Sequence, residues 1–437
     1  MRRFLLAAIA VFAVVPAAAT AAPPQVDVRF STFNASLNRS FEGQLAEHLS
    51  TPNNQQAKNV AETIQRYRPD VLLINEFDFW AQDPQRPVDL FRTNYLERSQ
   101  NGAAPIHYPY SFIAPSNTGI ASGFDLNNNG AVVTTPLAPG YGDDAFGFGE
   151  FPGKFAMVVY SMYPIKEDAI RTFQLFRWKD MPGAKLPDDP NTPAPADWYS
   201  PEELEVFRLS SKSHWDVPIH IAGKTVHFLV SHPTPPVFDD PNPFQPHIPA
   251  GVDFNGRRNH DEIRFWADYI SPGSQSRYIY DDLGRRGGLS KNQLFVIAGD
   301  QNSDPLDGDS IPGSIQQLLE HPLINTSMTP SSLGGPWAAE VQDVLNDTHK
   351  SDPAFDTADF CDFPAFPPCS GPGNLRADYV LPRENMQILG SGVFWPSLDP
   401  ADADPLAPFA YLVDPTGFGF PAPTSDHRAV WVDVRVR

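Results

Sequence analysis

The residues able to do chemistry in this chain stand at one kind of place, the ends of short apolar runs. "VDVRFSTFN" (26–34) stops at Asn34, and "DVLLINE" (70–76) stops at Glu76. "TVHFLVSH" (225–232) stops at His232. "LFVIAGD" (294–300) stops at Asp300, with Asn302 two residues further on in "GDQNSDP". "ADYVLP" (377–382) carries Asp378 near its start, and "AVWVDVRV" (429–436) begins just after Asp426 and His427. A single such residue means little, because Asp, Asn and Gly are ordinary turn formers. A carboxylate held against an apolar run nevertheless costs desolvation free energy unless it is paired or holds a cation. Six segments of this kind look like one convergent site.

The residue types fit phosphoester hydrolysis. Oxygen ligands such as Glu76 suit Mg2+, Mn2+ or Ca2+, which keep waters and use one or two carboxylates plus substrate phosphate. Such a cation polarises the phosphoryl oxygen and stabilises developing charge. A histidine with a buried Asp partner can take a proton from water. Neutral donors such as Asn and His can contact phosphate without adding negative charge. A serine hydrolase would need a "GxSxG" elbow, which the sequence lacks.

Placing these residues requires strands. The runs above, with "FAMVVYS" (155–161), are rich in β-branched and aromatic residues and end at turn formers. Helical patterns fall between them. "NNQQAKNVAETIQRYRPD" (53–70) puts Val60, Ile64 and Tyr67 on one face, and "NHDEIRFWADYI" and "SIQQLLEH" read similarly. Alternation of this kind predicts an α/β fold with sheets covered by helices. Proline is 47 of 437 residues, concentrated in 181–202, 233–250, 353–373 and 396–423. Strand signals resume after each stretch, so these read as ordered surface loops, with no repeat and no domain boundary.

Composition narrows the partners. With 32 basic against 52 acidic residues, the net charge of −20 lacks the basic footprint of a protein that grips nucleic acid through many phosphates. No stable nucleic-acid partner is expected, and the protein is expected to be a monomer. Residues 1–22 read as a secretory signal peptide: "MRR", then "FLLAAIAVFAVV", then small residues, with cleavage after Ala21 or Ala22. That predicts a secreted or periplasmic location, and no later segment is apolar enough to span a membrane. In an exported chain Cys361 and Cys369 are expected to form a disulfide.

Taken in order, Asn34, "INE" with Glu76, "SMYPI" (161–165), His232, "GDQN" (299–302), "ADY" (377–379) and "SDH" (425–427) resemble the endonuclease/exonuclease/phosphatase superfamily. The match spans nearly all of 23–437, read as a single domain. The resemblance implies a four-layer, deoxyribonuclease-like α/β sandwich: two packed mixed β-sheets covered by helices, with the site at one end. It implies that Glu76 binds the metal with Asp426 nearby, and that Asn34 contacts the phosphate. Asp300 and Asn302 position water and phosphate, His427 is the catalytic imidazole oriented by Asp378, and His232 is the second imidazole. The usual "QE" is "NE" here, at Asn75, and the usual basic residue of "SxYPI" is Met162, a charge missing near the site. No carboxylate is evident to support His232.

The expected activity is a secreted metal-dependent phosphoesterase that hydrolyses phosphate mono- or diesters, small organic phosphates or phosphodiesters, by metal- and His-assisted water attack. A secreted non-specific nuclease, or a non-catalytic module on the same fold, is the alternative. Three stretches stay open. Arg257 or Arg258 could supply the charge missing at Met162, or belong to a solvated helix start capped by Asn259 and Asp261. "DLNNNG" (125–130) is half of a calcium loop, but its twelfth position is Pro136, so a turn is the better reading. The aromatic loop 394–423 could form a substrate wall, touch lipid or pack over the sandwich edge.

Overall fold

All seven predicted strands form, and six more join them. The computed structural model describes residues 25–241, 245–342, 348–361, 371–413 and 424–437. Its strands are β1 (Val26–Asn34), β2 (Val71–Asn75), β3 (Tyr110–Phe112), β4 (Met157–Ser161), β5 (Arg171–Thr172), β6 (His214–Ile221), β7 (Lys224–Ser231), β8 (Leu294–Asp300), β9 (Ala358–Asp359), β10 (Asn374–Leu375), β11 (Asp378–Pro382), β12 (Gln387–Val393) and β13 (Val430–Val436). One sheet runs β12-β13-β1-β2-β4-β3 and the other β11-β8-β7-β6-β5, with β9 and β10 paired separately. The β1–β2 and β7–β8 pairs are parallel and their other neighbours antiparallel.

The two sheets pack face to face. Phe30 of β1 meets Phe228 of β7 with ring centroids 5.6 Å apart, and Phe112 of β3 meets Trp215 of β6 edge-on at 5.0 Å. Burying one such ring contributes about 1.5–3 kcal/mol. Helix Gln55–Tyr67 covers the outer face of the first sheet. Asn54 caps it by accepting from the Ala57 amide at 3.0 Å, and Ala57, Val60, Ala61 and Ile64 are its buried stripe. Arg68 turns left-handed (φ 50°) and Pro69 follows, so the helix stops. Helix Phe254–Ile270 covers the second sheet, burying Ile263, Phe265 and Trp266 against Leu229, Phe295 and Ile297. This is the expected mixed α/β fold with two large sheets and covering helices.

Strand β6 escapes the sequence reading because Pro218 interrupts it. Its partner β5 reaches only Trp215 and Asp216. Beyond β5 the segment 164–166 flanks β6, with the Lys166 amide donating to the Pro218 carbonyl and the His220 amide to the Pro164 carbonyl, both at 2.8 Å. Pro218 is accommodated in this short irregular pairing at the loss of one ladder donor.

The sheets put chemistry at one end. β1, β2, β7 and β8 all finish there, at Asn34, Asn75, Ser231 and Asp300, while antiparallel β11 and β13 start there. Met162 is not at that end. Val71 pairs with Ser161 and Asn75 with Met157, so Met162 lies a whole strand away from Glu76, roughly 20 Å at ~3.3 Å per residue. It packs against the core, and no site charge is lost there.

The loop after β12 packs over the sandwich as far as it is described: Phe394, Trp395, Leu412 and Val413 join the main hydrophobic core, with the Phe394 ring centroid 6.4 Å from that of Tyr67 of the covering helix. Its remainder, 414–423, lies outside the described residues, as do residues 1–22 and Cys369. In 125–130, Asp125 accepts from the Asn129 and Gly130 amides at 3.0 and 2.7 Å, and Asn127 from the Asn129 amide at 3.2 Å. The loop's oxygens are spent on its own backbone, as a turn requires. Among the described residues no helix is long and apolar enough to cross a membrane.

Candidate active site

All eight predicted site residues meet at the common strand end. The parallel register sets Asn34 of β1 beside Asn75 of β2, so Glu76 follows directly next to it. The β11–β8 register sets Asp378 opposite Asp300. Gly299 lets β8 approach β7 closely, since a Cβ there would stand 2.0 Å from the Ser231 carbonyl oxygen. Asn75 is buried, accepting from Thr32 Oγ1 at 3.1 Å and donating to the Ser231 carbonyl at 3.4 Å. The departure from "QE" thus fills a structural position between the sheets.

Asp300 is the hub. Its Oδ2 accepts from Asn34 Nδ2 at 3.1 Å and lies 3.3 Å from His232 Nε2 and 3.6 Å from His427 Nε2. Its Oδ1 accepts from the Asn302 amide at 2.9 Å. His427 Nδ1 is 2.8 Å from Asp378 Oδ2, which also accepts from Thr357 Oγ1 at 2.9 Å. Thr357 Oγ1 in turn accepts from the Asp378 amide at 2.9 Å. Asn34 links this relay to the acidic side, donating to Glu76 Oε1 at 3.2 Å while Asn38 donates to Oε2 at 2.8 Å. Asp426 Oδ1 accepts from Ser36 Oγ at 3.2 Å. Glu76, Ser36 and Asn302 all have positive φ, at 60°, 48° and 49°. Strained backbone of this kind concentrates where geometry serves function.

The charges are distributed unequally. Burial alone would strip the proton from His427, but the carboxylates of Asp378 and Asp300 overcome it and hold the imidazole well above its usual range. Burial pushes Asp378 up to about 6 against the pull of His427. Asp300 stays well below the carboxylate range because the two histidines outweigh its burial. Burial lowers His232 to about 4, so it is neutral at pH 7. With its proton on Nε2 toward Asp300, its buried Nδ1 has no hydrogen-bond partner. Among the described residues no carboxylate reaches that Nδ1.

Burial, and then the nearby Asp426 carboxylate, raise Glu76. Two crowded carboxylates with hard oxygen donors are a fit for a divalent cation. Asp300, Asp378 and His427 also bring one ligand atom each within 4.8 Å of one another. His427 Nδ1 is already committed to Asp378, which favours a proton relay for that trio.

Four contributors were not flagged from sequence. Lys212 is 6% exposed, with Nζ 3.3 Å from the Pro233 carbonyl, and its charge reaches Glu262, Asp300 and Glu76. It supplies the site's cation, where sequence pointed to Arg257 or Arg258. Arg258 is buried and donates to the carbonyls of Leu209 and Arg208 at 2.8 and 3.0 Å, and Arg257 to that of Val252 at 3.1 Å. Nor do Asn259 and Asp261 cap the helix, which begins earlier, at Phe254, and buries both. The other three are Asn38, Glu262 and Asp78.

Asp78 braces the turn after Glu76, accepting from the Arg39 and Phe155 amides at 2.7 and 3.1 Å. Burial outweighs both bonds and pushes it up to about 8. The folded state therefore holds a proton that the unfolded chain releases near pH 4. Its stabilising effect is complete below that and is lost as pH rises towards about 8. Urea denaturation from pH 5 to pH 8 is expected to show stability falling with pH, and the slope is expected to flatten in Asp78→Asn. An unchanged slope would refute the assignment.

A family model described as the Endonuclease/Exonuclease/phosphatase family matches residues 31–427, and the chain belongs to that family. Members are generally hydrolases of phosphoesters and depend on divalent metal. Among solved structures, an endonuclease/exonuclease/phosphatase from Beutenbergia cavernae is similar at 15% identity and TM-score 0.44, covering 94% of this chain and 72% of that one. A mutant of beta toxin from Staphylococcus aureus with bound magnesium ions aligns at 15% identity and TM-score 0.40, covering 93% and 99%. Sphingomyelinase C from Streptomyces griseocarneus aligns at 12% identity and TM-score 0.40, also covering 93% and 99%. No curated protein matches the chain.

Proposed function

We propose that this protein is a divalent-metal-dependent phosphoesterase, exported through its N-terminal segment and acting as a monomer on small organic phosphates. The Asp378–His427–Asp300 relay, joined through Asn34 to Glu76, carries this reading. Asp300 orients a water for attack on phosphorus. The N–H groups of His427 and His232, and the Asn302 Nδ2 hydrogen not given to Pro233, hold the non-bridging oxygens. As the histidines turn their protons to the phosphate, Asp300 loses the interactions that keep it acidic. Its basicity rises, and it can take the water's proton as the new P–O bond forms and the ester P–O bond breaks, the departing alkoxide taking its proton from solvent. Asp378 keeps His427 charged and aimed. A cation held by Glu76 and Asp426 would supply Lewis-acid stabilisation of the phosphoryl charge. The net charge of −20 favours a small substrate over a polyanion.

The test is hydrolysis of bis-p-nitrophenyl phosphate, p-nitrophenyl phosphate and plasmid DNA with EDTA, Mg2+, Mn2+ or Ca2+. Turnover of an aryl phosphate is expected with metal and is expected to vanish in EDTA. Plasmid cleavage with a steep negative salt slope would instead identify a nuclease. No turnover by folded protein with any metal would refute the enzyme reading. A 2 Da mass gain on reduction is the corresponding test of the proposed Cys361–Cys369 bridge.

A further inference from the structure

Glu262, in the middle of helix Phe254–Ile270, is fully buried and lies outside the relay. Its Oε1 accepts from the Ser211 amide at 2.6 Å and Ser211 Oγ at 3.2 Å. Its Oε2 accepts from the Thr234 amide at 2.6 Å. Those amides belong to two different segments. Ser211 directly precedes Lys212, and Thr234 follows His232 by two residues. The segments are tied again at the Pro233 carbonyl, which accepts from Lys212 Nζ at 3.3 Å and Asn302 Nδ2 at 3.2 Å. Only a carboxylate can accept at both ends, since a glutamine would turn an NH2 group towards one of the two amides.

We propose that Glu262 is a positioning residue: it fixes the two segments so that the Lys212 ammonium and the His232 imidazole face the substrate's phosphate together. The proposal rests on the phosphoesterase reading for its ligand. Lys212 retains donors beyond the Pro233 bond, and its buried ammonium is placed to bind a phosphate oxygen. Sequence motifs do not report Glu262, because it acts through the backbone of residues that are themselves far apart in the chain.

Orthophosphate is the probe, measured by calorimetry and by competitive inhibition with the full chain in Mg2+. Lys212→Met is expected to weaken orthophosphate binding by about tenfold or more, as loss of a charged hydrogen-bond donor does. Glu262→Gln is expected to weaken it in the same direction and to raise KM more than it lowers kcat. Lys212→Arg should restore part of the binding. Because part of the effect of Glu262 runs through Lys212, the double variant should bind more tightly than the product of the two single effects predicts. Glu262→Asp, which keeps both acceptors on a shorter arm, gives the same comparison if the glutamine variant does not fold. The inference is overturned if the Glu262 variants lower only the melting temperature, with orthophosphate binding within about twofold of wild type, or if the two effects multiply. Absence of orthophosphate binding by the wild type also overturns it. Lys212- and Glu262-dependent binding without any ester hydrolysis would sustain the positioning role and refute the proposed function.

Discussion

His427→Ala is expected to lower kcat by about two to three orders of magnitude, the usual worth of a preorganised donor to developing oxyanion charge. The pH profile carries more information than the size of the loss. If the working form is the imidazolium, activity persists above neutrality and falls as pH rises through a His427 pKa that Asp378 and Asp300 hold well above the ordinary value. Asp378→Asn removes one of those carboxylates, so its alkaline limb should move to lower pH while the fold survives. A profile that instead rises with pH to a plateau, with no shift in Asp378→Asn, would assign His427 the role of neutral base and remove Asp300 from it.

Glu76→Gln is expected to weaken Mg2+ binding by about 100-fold or more, since losing even an outer-sphere partner of a metal ligand costs about 10–100-fold. The same substitution should raise the melting temperature of the metal-free protein. It removes a buried carboxylate that burial and Asp426 both disfavour, and sites that sacrifice stability for function regain it when disarmed. Calorimetry with Mg2+ and thermal melts in EDTA give the two readouts. Unchanged Mg2+ affinity would move the cation elsewhere, with Asp300 and Asp378 the next oxygen donors to test.

The sequence made the catalytic strands and their terminal residues legible because both signals are local. A β-branched run ending in Glu76 or Asp300 can be recognised within a few residues. What escaped depends on contacts between distant segments. Lys212 has no apolar run before it, and its burial comes from the approach of 232–234 and of helix Phe254–Ile270. Glu262 sits in a helix whose charged residues read as solvated, yet Arg258, Asn259, Asp261 and Glu262 are all buried. Met162 misled because a motif neighbour was taken for a spatial neighbour, and the antiparallel β2–β4 register sends it to the far end.

In the first sheet β1 lies between β13 and β2, with Val26 paired to Val436 and Thr32 to Val430. Its neighbour on one side is therefore synthesised some 400 residues after it. During synthesis β1 and β2 can pair early, but one edge of β1 stays open until residues 430–436 have left the ribosome. An open apolar strand edge of that duration is an aggregation hazard and a natural substrate for chaperones. The same closing step delivers Asp426 and His427 to Asn34, Glu76 and Asp300. The site is then assembled late and all at once, so chains stopped short of the last strand should lack it as well as fold poorly.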